Sequence, residues 1–339
     1  MLTGGIALGI NELSAFPKYI EFQTQSFCNG QCAPCPYSST EKCFTPARMS
    51  DEGIDQILTE LAAHSHEVVR AIPYMNNEPT LDRRFLSVLR RLKESGIFVE
   101  VSSNTSGLNE ELIEAILLER LIDDFRISFF GGTEELYKEL MPGLNFHKTV
   151  DRIKHLLEQN KASGLPIDIQ LVAILCPWVD MEENVRSIEE LFPEAKLHLF
   201  GFLDRAGSVE GHGNAKKLAS IIGMEQNPLA GCQLLRPFER MNILANGDAI
   251  ICSQDWRREV VLGNVLESSI EAVWHSERAN EIRQYVRGET EGLPSDFICT
   301  RCKAALLKPE FGGGSNFTGD RYLDESGRKA IVPGQKAGI

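Results

Sequence analysis

In the first 205 residues, short apolar runs alternate with segments whose apolar positions recur every three or four residues. The runs predict strands at 18–24, 67–75, 97–103, 124–130, 166–175 and 195–202. The segments between them predict helices near 50–63, 81–95, 108–120, 133–160 and 180–192, and Pro142-Gly143 could break the fourth. Such alternation is typical of parallel βα units. Six units favour a curved partial barrel, a (β/α)6 arrangement in the α/β class, over a closed eight-stranded barrel.

The pattern changes at residue 206, where a polar, Gly-rich stretch begins. Further on, NILANGDAIIC predicts a β-hairpin with a type I′ turn at Asn246-Gly247, and VLGNV and a helical stretch over 269–286 follow. We therefore expect a core at 1–205, a linker at 206–231 and a small α+β domain at 232–310. The tail at 311–339 could fold over the barrel mouth as a lid or be an unstructured end.

Charge narrows the choice of partners. The 339 residues include 35 Lys and Arg against 48 Asp and Glu, a formal net charge of -13. This balance argues against nucleic acid or an anionic membrane surface as the main partner. No apolar run approaches the roughly 20 residues that a membrane span needs. We expect neither a nucleic-acid nor a membrane partner, and many cysteines in a chain without a secretory signal predict a cytoplasmic protein.

Nine cysteines are the most informative feature of the composition. An odd, unevenly clustered set suits metal ligation in a reducing compartment better than disulfides. Three of them, Cys28, Cys32 and Cys35, form a C-x3-C-x2-C run in a loop after the first predicted strand. Three thiolates can hold three corners of a cubane and leave one iron open to a small chelating molecule. The alternative is a zinc loop completed by Cys43.

Four more cysteines lie in the C-terminal third: Cys232, Cys252, Cys299 and Cys302. Four thiolates can close either an iron–sulfur cluster or a structural zinc site. Cys43 and Cys176 then remain without a partner set. The spacing of the four cysteines alone does not distinguish an iron–sulfur cluster from a zinc site.

A C-x3-C-x2-C loop after the first strand of a six-fold βα chain resembles the radical S-adenosylmethionine (SAM) superfamily. The resemblance implies a 4Fe–4S cluster on Cys28, Cys32 and Cys35 whose open iron chelates the methionine end of SAM. In MNNEP, Asn76 and Asn77 replace the glycines of the family's GGE-type motif, while Glu78 keeps the acid expected near the methionine amino group.

Further cofactor contacts follow from the same resemblance. Ser103 and Asn104 lie where residues that contact the ribose are usual, and Ser128 lies where a hydroxyl often meets the cofactor carboxylate. The aromatic residue that usually precedes the third cysteine is replaced by Pro34. Tyr37, two residues after Cys35, is expected to place its ring near the adenine instead.

The C-terminal hairpin, strand, helix and C-x2-C pair resemble the SPASM/twitch auxiliary module. The four cysteines match its one-cluster form, as in the butirosin aminocyclitol dehydrogenase and the neomycin C epimerase. This implies a second 4Fe–4S cluster and an external one-electron donor such as flavodoxin or ferredoxin. Beside a radical SAM core, a second cluster is favoured over zinc.

The resemblance implies that a 5′-deoxyadenosyl radical abstracts hydrogen from a small hydroxylated substrate, sugar-, aminosugar- or aminocyclitol-like, in natural-product biosynthesis. Epimerisation is preferred because Cys176 ends the fifth strand and could return a hydrogen atom; Cys43 is the second candidate catalytic residue. Cys176 could equally be a small buried hydrophobic residue. Dehydrogenation with the auxiliary cluster as electron acceptor, radical modification of a peptide or protein, and a non-enzymatic zinc protein remain alternatives. Asp204 and Arg205 could bind hydroxyls or a phosphate, or form a surface ion pair.

Overall fold

The computed structural model describes residues 13–37, 45–209, 226–294 and 297–315, and the backbone of two short strands at 321–323 and 329–331. Its first part contains six strands: β1 (Tyr19–Phe22), β2 (Arg70–Ile72), β3 (Glu100–Ser103), β4 (Asp124–Ser128), β5 (Asp168–Leu175) and β6 (Lys196–Gly201). The helices between them are α1 (Asp51–Ala63), α2 (Phe85–Glu94), α3 (Glu110–Leu118), α4 (Glu134–Leu140), α5 (Phe146–Ala162) and α6 (Met181–Leu191).

The six strands run parallel in sequence order, which confirms the predicted partial (β/α)6 barrel. β1 pairs with β2, and β3, β4, β5 and β6 pair in turn. A single bridge between Ala71 and Val99 connects the two groups. The carboxyl ends of all six strands therefore lie at one rim, where active sites of such folds are found.

Local sequence signals explain where the helices begin and end. Ser50, Asn109 and Asp180 cap α1, α3 and α6 with side-chain oxygens that accept backbone N–H groups. The predicted break in the fourth helix occurs between α4 and α5. There Pro142 is followed by Gly143, whose φ of 86° is favourable only for glycine, and Asn145 caps the new helix.

The barrel strands have one apolar and one polar face. Ile20, Phe22, Val101 and Ile127 are fully buried against the helices. The barrel interior instead contains an ionic network in which Arg126 binds Glu100 at 2.7 Å and Asp124 at 2.7 Å. The interior is therefore filled by polar side chains.

A second unit contains β7 (Leu229–Cys232), α7 (Arg236–Glu239), β8 (Arg240–Ile243), β9 (Asp248–Ile250), β10 (Val261–Asn264), α8 (Ile270–Trp274), α9 (Glu277–Arg287) and β11 (Ala305–Leu307). β8 pairs in parallel with β1, so the hairpin extends the barrel sheet. A separate small core forms around Leu229, Phe238, Ile282 and Phe297. The expected helical stretch is split because Ser276 caps a new helix, α9.

The hairpin turn differs from the sequence prediction. Only Gly247 has a positive φ, at 88°, whereas a type I′ turn needs positive φ at both central residues. The Gly247 amide donates to the Leu244 carbonyl at 2.8 Å, and the Leu244 amide donates to Asp248. The predicted type I′ turn is wrong: the chain makes a type I turn followed by a left-handed glycine, the usual three-residue hairpin loop.

The tail contributes two short strands, β12 (Arg321–Leu323) and β13 (Lys329–Ile331). β12 pairs antiparallel with β6, with Arg321 opposite Leu199. The tail thus covers the β6 edge, and its function as a lid stays a prediction. None of the helices in the described part of the chain has the length and apolar character needed to cross a membrane.

Candidate active site

The loop that carries Cys28, Cys32 and Cys35 follows β1 and is held against the end of α4. The Gln31 amide donates to the Pro142 carbonyl at 2.9 Å, and the Ala33 amide donates to Leu140 at 2.8 Å. The helix break at Pro142 therefore leaves carbonyls free to bind the cysteine loop. Because the loop follows the carboxyl end of β1, it lies at the same rim of the barrel as the other predicted site residues.

Tyr37 braces this loop through its hydroxyl. The phenol oxygen accepts from the Cys28 amide at 3.0 Å and donates to the Ser26 carbonyl at 3.3 Å. These bonds fix the backbone on both sides of the first cysteine. The adenine contact expected of Tyr37 stays a prediction, and the loop-bracing role was missed in the sequence.

Glu78 lies beyond the end of β2 and is 2% exposed. Its carboxylate accepts from the Ser103 hydroxyl at 2.7 Å, from the Asn104 amide at 2.7 Å and from the Thr80 amide at 3.1 Å. Burial raises the pKa of Glu78, and these hydrogen bonds oppose that increase. The acid thus joins the ends of β2 and β3, and its predicted contact with the methionine amino group remains untested.

Asn104 connects this network to the cysteine loop. Its side-chain amide donates to the Asn29 side chain at 3.1 Å, and the Ser106 hydroxyl donates to the same oxygen at 3.0 Å. Asn29 directly follows Cys28. The structure therefore brings Glu78, Ser103 and Asn104 together beside the first cysteine, as the sequence predicts.

The remaining predicted cofactor contacts are half-buried nearby. The Asn77 side-chain oxygen accepts from the Met75 amide at 3.1 Å, while its buried NH2 group has no hydrogen-bond partner among the described residues. An unused buried donor fits a bound ligand with acceptor atoms. The Ser128 hydroxyl lies 3.4 Å from that of Ser102. Asn76 neighbours this group, with no side-chain bond that defines its role.

The second cysteine set comes from three separate segments. Cys232 ends β7 opposite Ala305 of β11. Cys299 lies within the 3₁₀ turn Ile298–Arg301, just before β11, and Cys302 directly follows that turn. Cys252 follows β9, and its sulfur accepts from the Gln254 amide at 3.2 Å. The pairing of β7 with β11 brings together cysteines that lie 67–70 positions apart in the chain.

In each set the cysteines are half-buried, and their thiols repel one another when ionised. Burial, with the charges of Glu78 and Cys35, raises the pKa of Cys28 to about 12. Burial and the charges of Cys252 and Cys232 raise the pKa of Cys302 to about 12. Positive metal ions would offset these costs by replacing the protons. The donor chemistry therefore fits metal binding at both sets.

The spacing of the thiols distinguishes between metals. A tetrahedral zinc site needs sulfur atoms about 3.8 Å apart, given Zn–S bonds of about 2.3 Å. Within the part of the chain that the structure describes, no three Cys, His, Asp or Glu side chains are arranged around a single-ion position. Cys43, the proposed fourth zinc ligand of the first loop and second candidate catalytic residue, lies outside the described residues.

Cys176 lies directly beyond β5 and is 1% exposed. It packs in the main hydrophobic core, and burial alone raises its pKa to about 12. The register pairs Leu175 with Gly201, so Cys176 and Phe202 are the first residues beyond two neighbouring strands. Cys176 therefore lies at the end of the fifth strand, as the sequence predicts. Its burial also fits the alternative interpretation, in which Cys176 is a small buried hydrophobic residue.

Two features of the site had no clear signal in the sequence. Thr105 is fully buried with φ of 66°, a strained conformation for a β-branched residue. The Nε group of Arg205 is buried, its guanidinium contacts the Gln254 side chain, and its charge influences the thiols of Cys35 and Cys252. The surface ion pair considered for Arg205 is therefore wrong. A local pattern in the sequence cannot report either the backbone strain or the burial.

Comparison with known proteins gives two family matches. The Radical SAM superfamily model matches residues 22–168, and the SPASM iron–sulfur cluster-binding domain matches residues 232–303. A GTP 3′,8-cyclase from Limosilactobacillus fermentum is 28% identical over 141 residues, 40% of each chain. A probable GTP 3′,8-cyclase from Sulfurisphaera tokodaii is 30% identical over 104 residues, 31% of this chain and 32% of the relative. The chain thus matches well under half the length of these relatives.

Solved structures share the fold across most of the chain. BtrN in complex with AdoMet and 2-DOIA has a TM-score of 0.54 at 16% identity, covering 84% of this chain and 92% of BtrN. Streptococcus suis SuiB bound to the precursor peptide SuiA has a TM-score of 0.61 at 15% identity, covering 86% of this chain and 70% of SuiB. Native anSMEcpe with bound AdoMet has a TM-score of 0.55 at 15% identity, covering 79% and 84%.

The two domains define the cofactors: SAM and a 4Fe–4S cluster for the first, and auxiliary iron–sulfur binding for the second. The α/β core with parallel strands and the C-terminal module agree with both matches. The chain therefore contains a Radical SAM domain over residues 22–168 and a SPASM iron–sulfur cluster-binding domain over residues 232–303.

Proposed function

We propose that this enzyme abstracts hydrogen from a carbon of a small hydroxylated substrate and that the outcome is epimerisation. The observation that carries the proposal is that Arg205 lies near one cysteine of each set, and we call the space between the two sets the gap. The Arg205 guanidinium interacts with Cys35 of the first set and Cys252 of the second. A substrate in this gap would be within reach of both sets.

Different residues would serve different roles in such a reaction. Cys28, Cys32 and Cys35 would hold the first cluster, and the second set would hold the auxiliary one. When bound, these cofactors supply a carbon radical from SAM and a path for single electrons. Glu78, through its bonds to Thr80, Ser103 and Asn104, would hold the ends of β2 and β3 in place beside the first cluster.

Epimerisation requires a donor that returns hydrogen to the opposite face of the carbon. Because burial raises the pKa of Cys176 to about 12, its sulfur keeps the S–H bond at neutral pH. The substrate loses one hydrogen atom and regains one, so it is neither oxidised nor reduced. The sulfur radical left on Cys176 then needs one electron and one proton, supplied by an external donor such as flavodoxin or ferredoxin and by solvent.

Dehydrogenation is the second candidate, favoured by the proximity of Cys252 to the gap. In that case the substrate radical loses an electron towards the auxiliary set and a proton to solvent, and a carbonyl forms from a secondary alcohol.

Peptide modification is the third candidate, because SuiB is similar in fold and its structure contains a precursor peptide. A place in natural-product biosynthesis is proposed by analogy only. We place the enzyme in the cytoplasm because a reducing compartment keeps unpaired cysteines as thiols.

Reaction in deuterated water distinguishes these outcomes. Reconstituted enzyme would be incubated with SAM, a reductant and a panel of aminosugars and aminocyclitols. Epimerisation predicts a product that carries one solvent deuterium at the inverted carbon. A product two hydrogens lighter than its substrate would contradict epimerisation and support dehydrogenation.

A further inference from the structure

Arg205 and Arg236 form a pair of guanidinium groups between the two cysteine sets. Arg205 lies four residues beyond β6, with a left-handed φ of 52°. Arg236 begins α7 and donates to the Ser253 hydroxyl beside Cys252. Each guanidinium interacts electrostatically with Cys252, and Arg205 also interacts with Cys35. Two positive charges therefore occupy the gap in a chain whose net charge is strongly negative.

Gln254 joins the two arginines through a neutral group. With its amide oriented to satisfy both of its ends, the side-chain oxygen accepts from Arg205 at 2.6 Å and from Arg236 at 3.0 Å. Gln254 is 2% exposed. A neutral amide orients two guanidiniums without cancelling their charge, so the positive potential of the pair remains.

Among the described residues, neither arginine has an acidic partner. Glu21, the acid that influences both, is bound by Arg240 at 2.6 Å. Within the described ranges, no Asp or Glu forms an ion pair with Arg205 or Arg236. The Nε group of Arg205 is buried and donates to no atom of the described residues. Because unpaired buried donors and charges are costly, a ligand with negative oxygen atoms would stabilise this arrangement.

The barrel interior shows how this chain neutralises guanidiniums elsewhere. Arg126 is held by Glu100 and Asp124, and Arg70 binds the same two acids. The contrast indicates that the charge at the gap is not balanced by the protein's own acids. Cluster thiolates can offset part of the positive charge of the two arginines. They cannot accept two parallel N–H bonds from a planar guanidinium, as a carboxylate or phosphate does.

We propose that Arg205 and Arg236 bind an oxyanion, a carboxylate or phosphate group, of the substrate in the gap between the two cysteine sets. The inference rests on the proposed function in one respect, that the substrate occupies this gap. It narrows the substrate class to acidic or phosphorylated hydroxylated compounds. The methionine carboxylate of SAM is the other possible source of the same chemistry.

Inorganic phosphate and SAM are suitable probes. Phosphate would be titrated into anaerobically reconstituted, dithionite-reduced enzyme, and its ³¹P relaxation measured, because reduced clusters are paramagnetic. We expect saturable enhancement with wild type. Arg205→Gln and Arg236→Gln should each weaken phosphate binding at least about tenfold, since hydrogen bonds to charged groups contribute about 1.5–3 kcal/mol. Arg205→Lys should show a smaller loss, and Arg90→Gln, at an exposed pair with Glu119, should show none.

Several outcomes would overturn the inference. The inference would be overturned if phosphate gave no saturable relaxation enhancement with wild type. It would also be overturned if both Arg205→Gln and Arg236→Gln bound phosphate as tightly as wild type does. Displacement of phosphate by SAM, or loss of SAM affinity in the variants, would assign the arginines to the cofactor carboxylate and also overturn it. Iron content and 5′-deoxyadenosine formation, measured on the same preparations, test folding and the radical function separately. If the variants retain iron content and 5′-deoxyadenosine formation and bind phosphate like wild type, the oxyanion site is refuted but the radical function is not.

Discussion

The backbone amide of Asn104, just beyond β3, donates a 2.7 Å hydrogen bond to the buried carboxylate of Glu78, beyond β2. The Asn104 side chain in turn binds Asn29, next to Cys28. A single acid thus holds the ends of two strands in a fixed position relative to the cysteine loop. This contact organises the rim of the barrel beside the cysteine loop.

Replacing Glu78 with Gln should lower both stability and SAM affinity. The variant puts an NH2 group among donors from Thr80, Ser103 and Asn104, and at least one buried donor loses its acceptor. We expect a loss of about 1–3 kcal/mol in the free energy of unfolding. Urea denaturation and calorimetric SAM titration would measure the two effects. Glu119→Gln, at the exposed pair with Arg90, is the control, and equal behaviour of the two variants would contradict the role of Glu78.

Tyr37→Phe should weaken the cysteine loop. The change removes the acceptor of the Cys28 amide and the donor to Ser26. We expect reconstituted enzyme to release iron to a chelator several times faster than wild type, with a stability loss of about 1 kcal/mol. Tyr285→Phe removes a hydroxyl that donates to Glu281 far from the loop and should release iron at the wild-type rate. Unchanged iron release in Tyr37→Phe would show that the hydroxyl does not brace the cluster loop.

Glu100→Gln should change how stability depends on pH. Burial opposes ionisation of Glu100, but the guanidiniums of Arg126 and Arg70 outweigh it and lower its pKa below the ordinary 4.5. A carboxylate with a lowered folded-state pKa stabilises the protein above its unfolded pKa and loses that contribution as pH falls through the folded value. We expect the variant to lose up to about 3–5 kcal/mol at pH 7, because buried guanidiniums lose a partner.

Urea denaturation of wild type and Glu100→Gln from pH 7 downward tests this dependence. The difference between the two proteins should shrink as pH falls below about 4.5, as Glu100 becomes protonated in wild type. Glu134→Gln, at an exposed pair with Lys138, should match wild type throughout. A constant difference across the pH range would mean that Glu100 does not titrate as proposed.

Cys176→Ala tests the hydrogen donor. The variant should still form 5′-deoxyadenosine and bind both clusters, while epimerised product disappears, because the substrate radical finds no hydrogen atom to accept. Product analysis by mass spectrometry and NMR, with iron content as the control for folding, would measure this. Full activity of Cys176→Ala would refute the role of this thiol in hydrogen return.

The barrel could be predicted because its signals are local. Apolar runs identify all six strands, and Pro142-Gly143 marks the break between α4 and α5. The cysteine spacing likewise identifies both cysteine sets. The prediction of a type I′ turn was wrong because Asn-Gly is compatible with two kinds of hairpin loop, and the residues around the turn decide between them.

Long-range relationships could not be predicted from the chain. The parallel pairing of β1 with β8 joins residues more than 200 positions apart, and no local pattern encodes it. Arg205 follows Asp204 in a polar stretch that reads equally well as surface, and only the folded chain places it between the cysteine sets. The same applies to Tyr37, whose hydroxyl binds the backbone while the sequence suggests only an aromatic ring.

Metal and sulfide analysis of anaerobically reconstituted enzyme tests the central claim, two iron–sulfur clusters in one chain. The account predicts about eight irons and about eight sulfides per chain in wild type, from two 4Fe–4S clusters. The triple variant Cys28→Ala/Cys32→Ala/Cys35→Ala should retain about four irons and form no 5′-deoxyadenosine. Bound zinc without iron, or full iron content in the triple variant, would contradict the account.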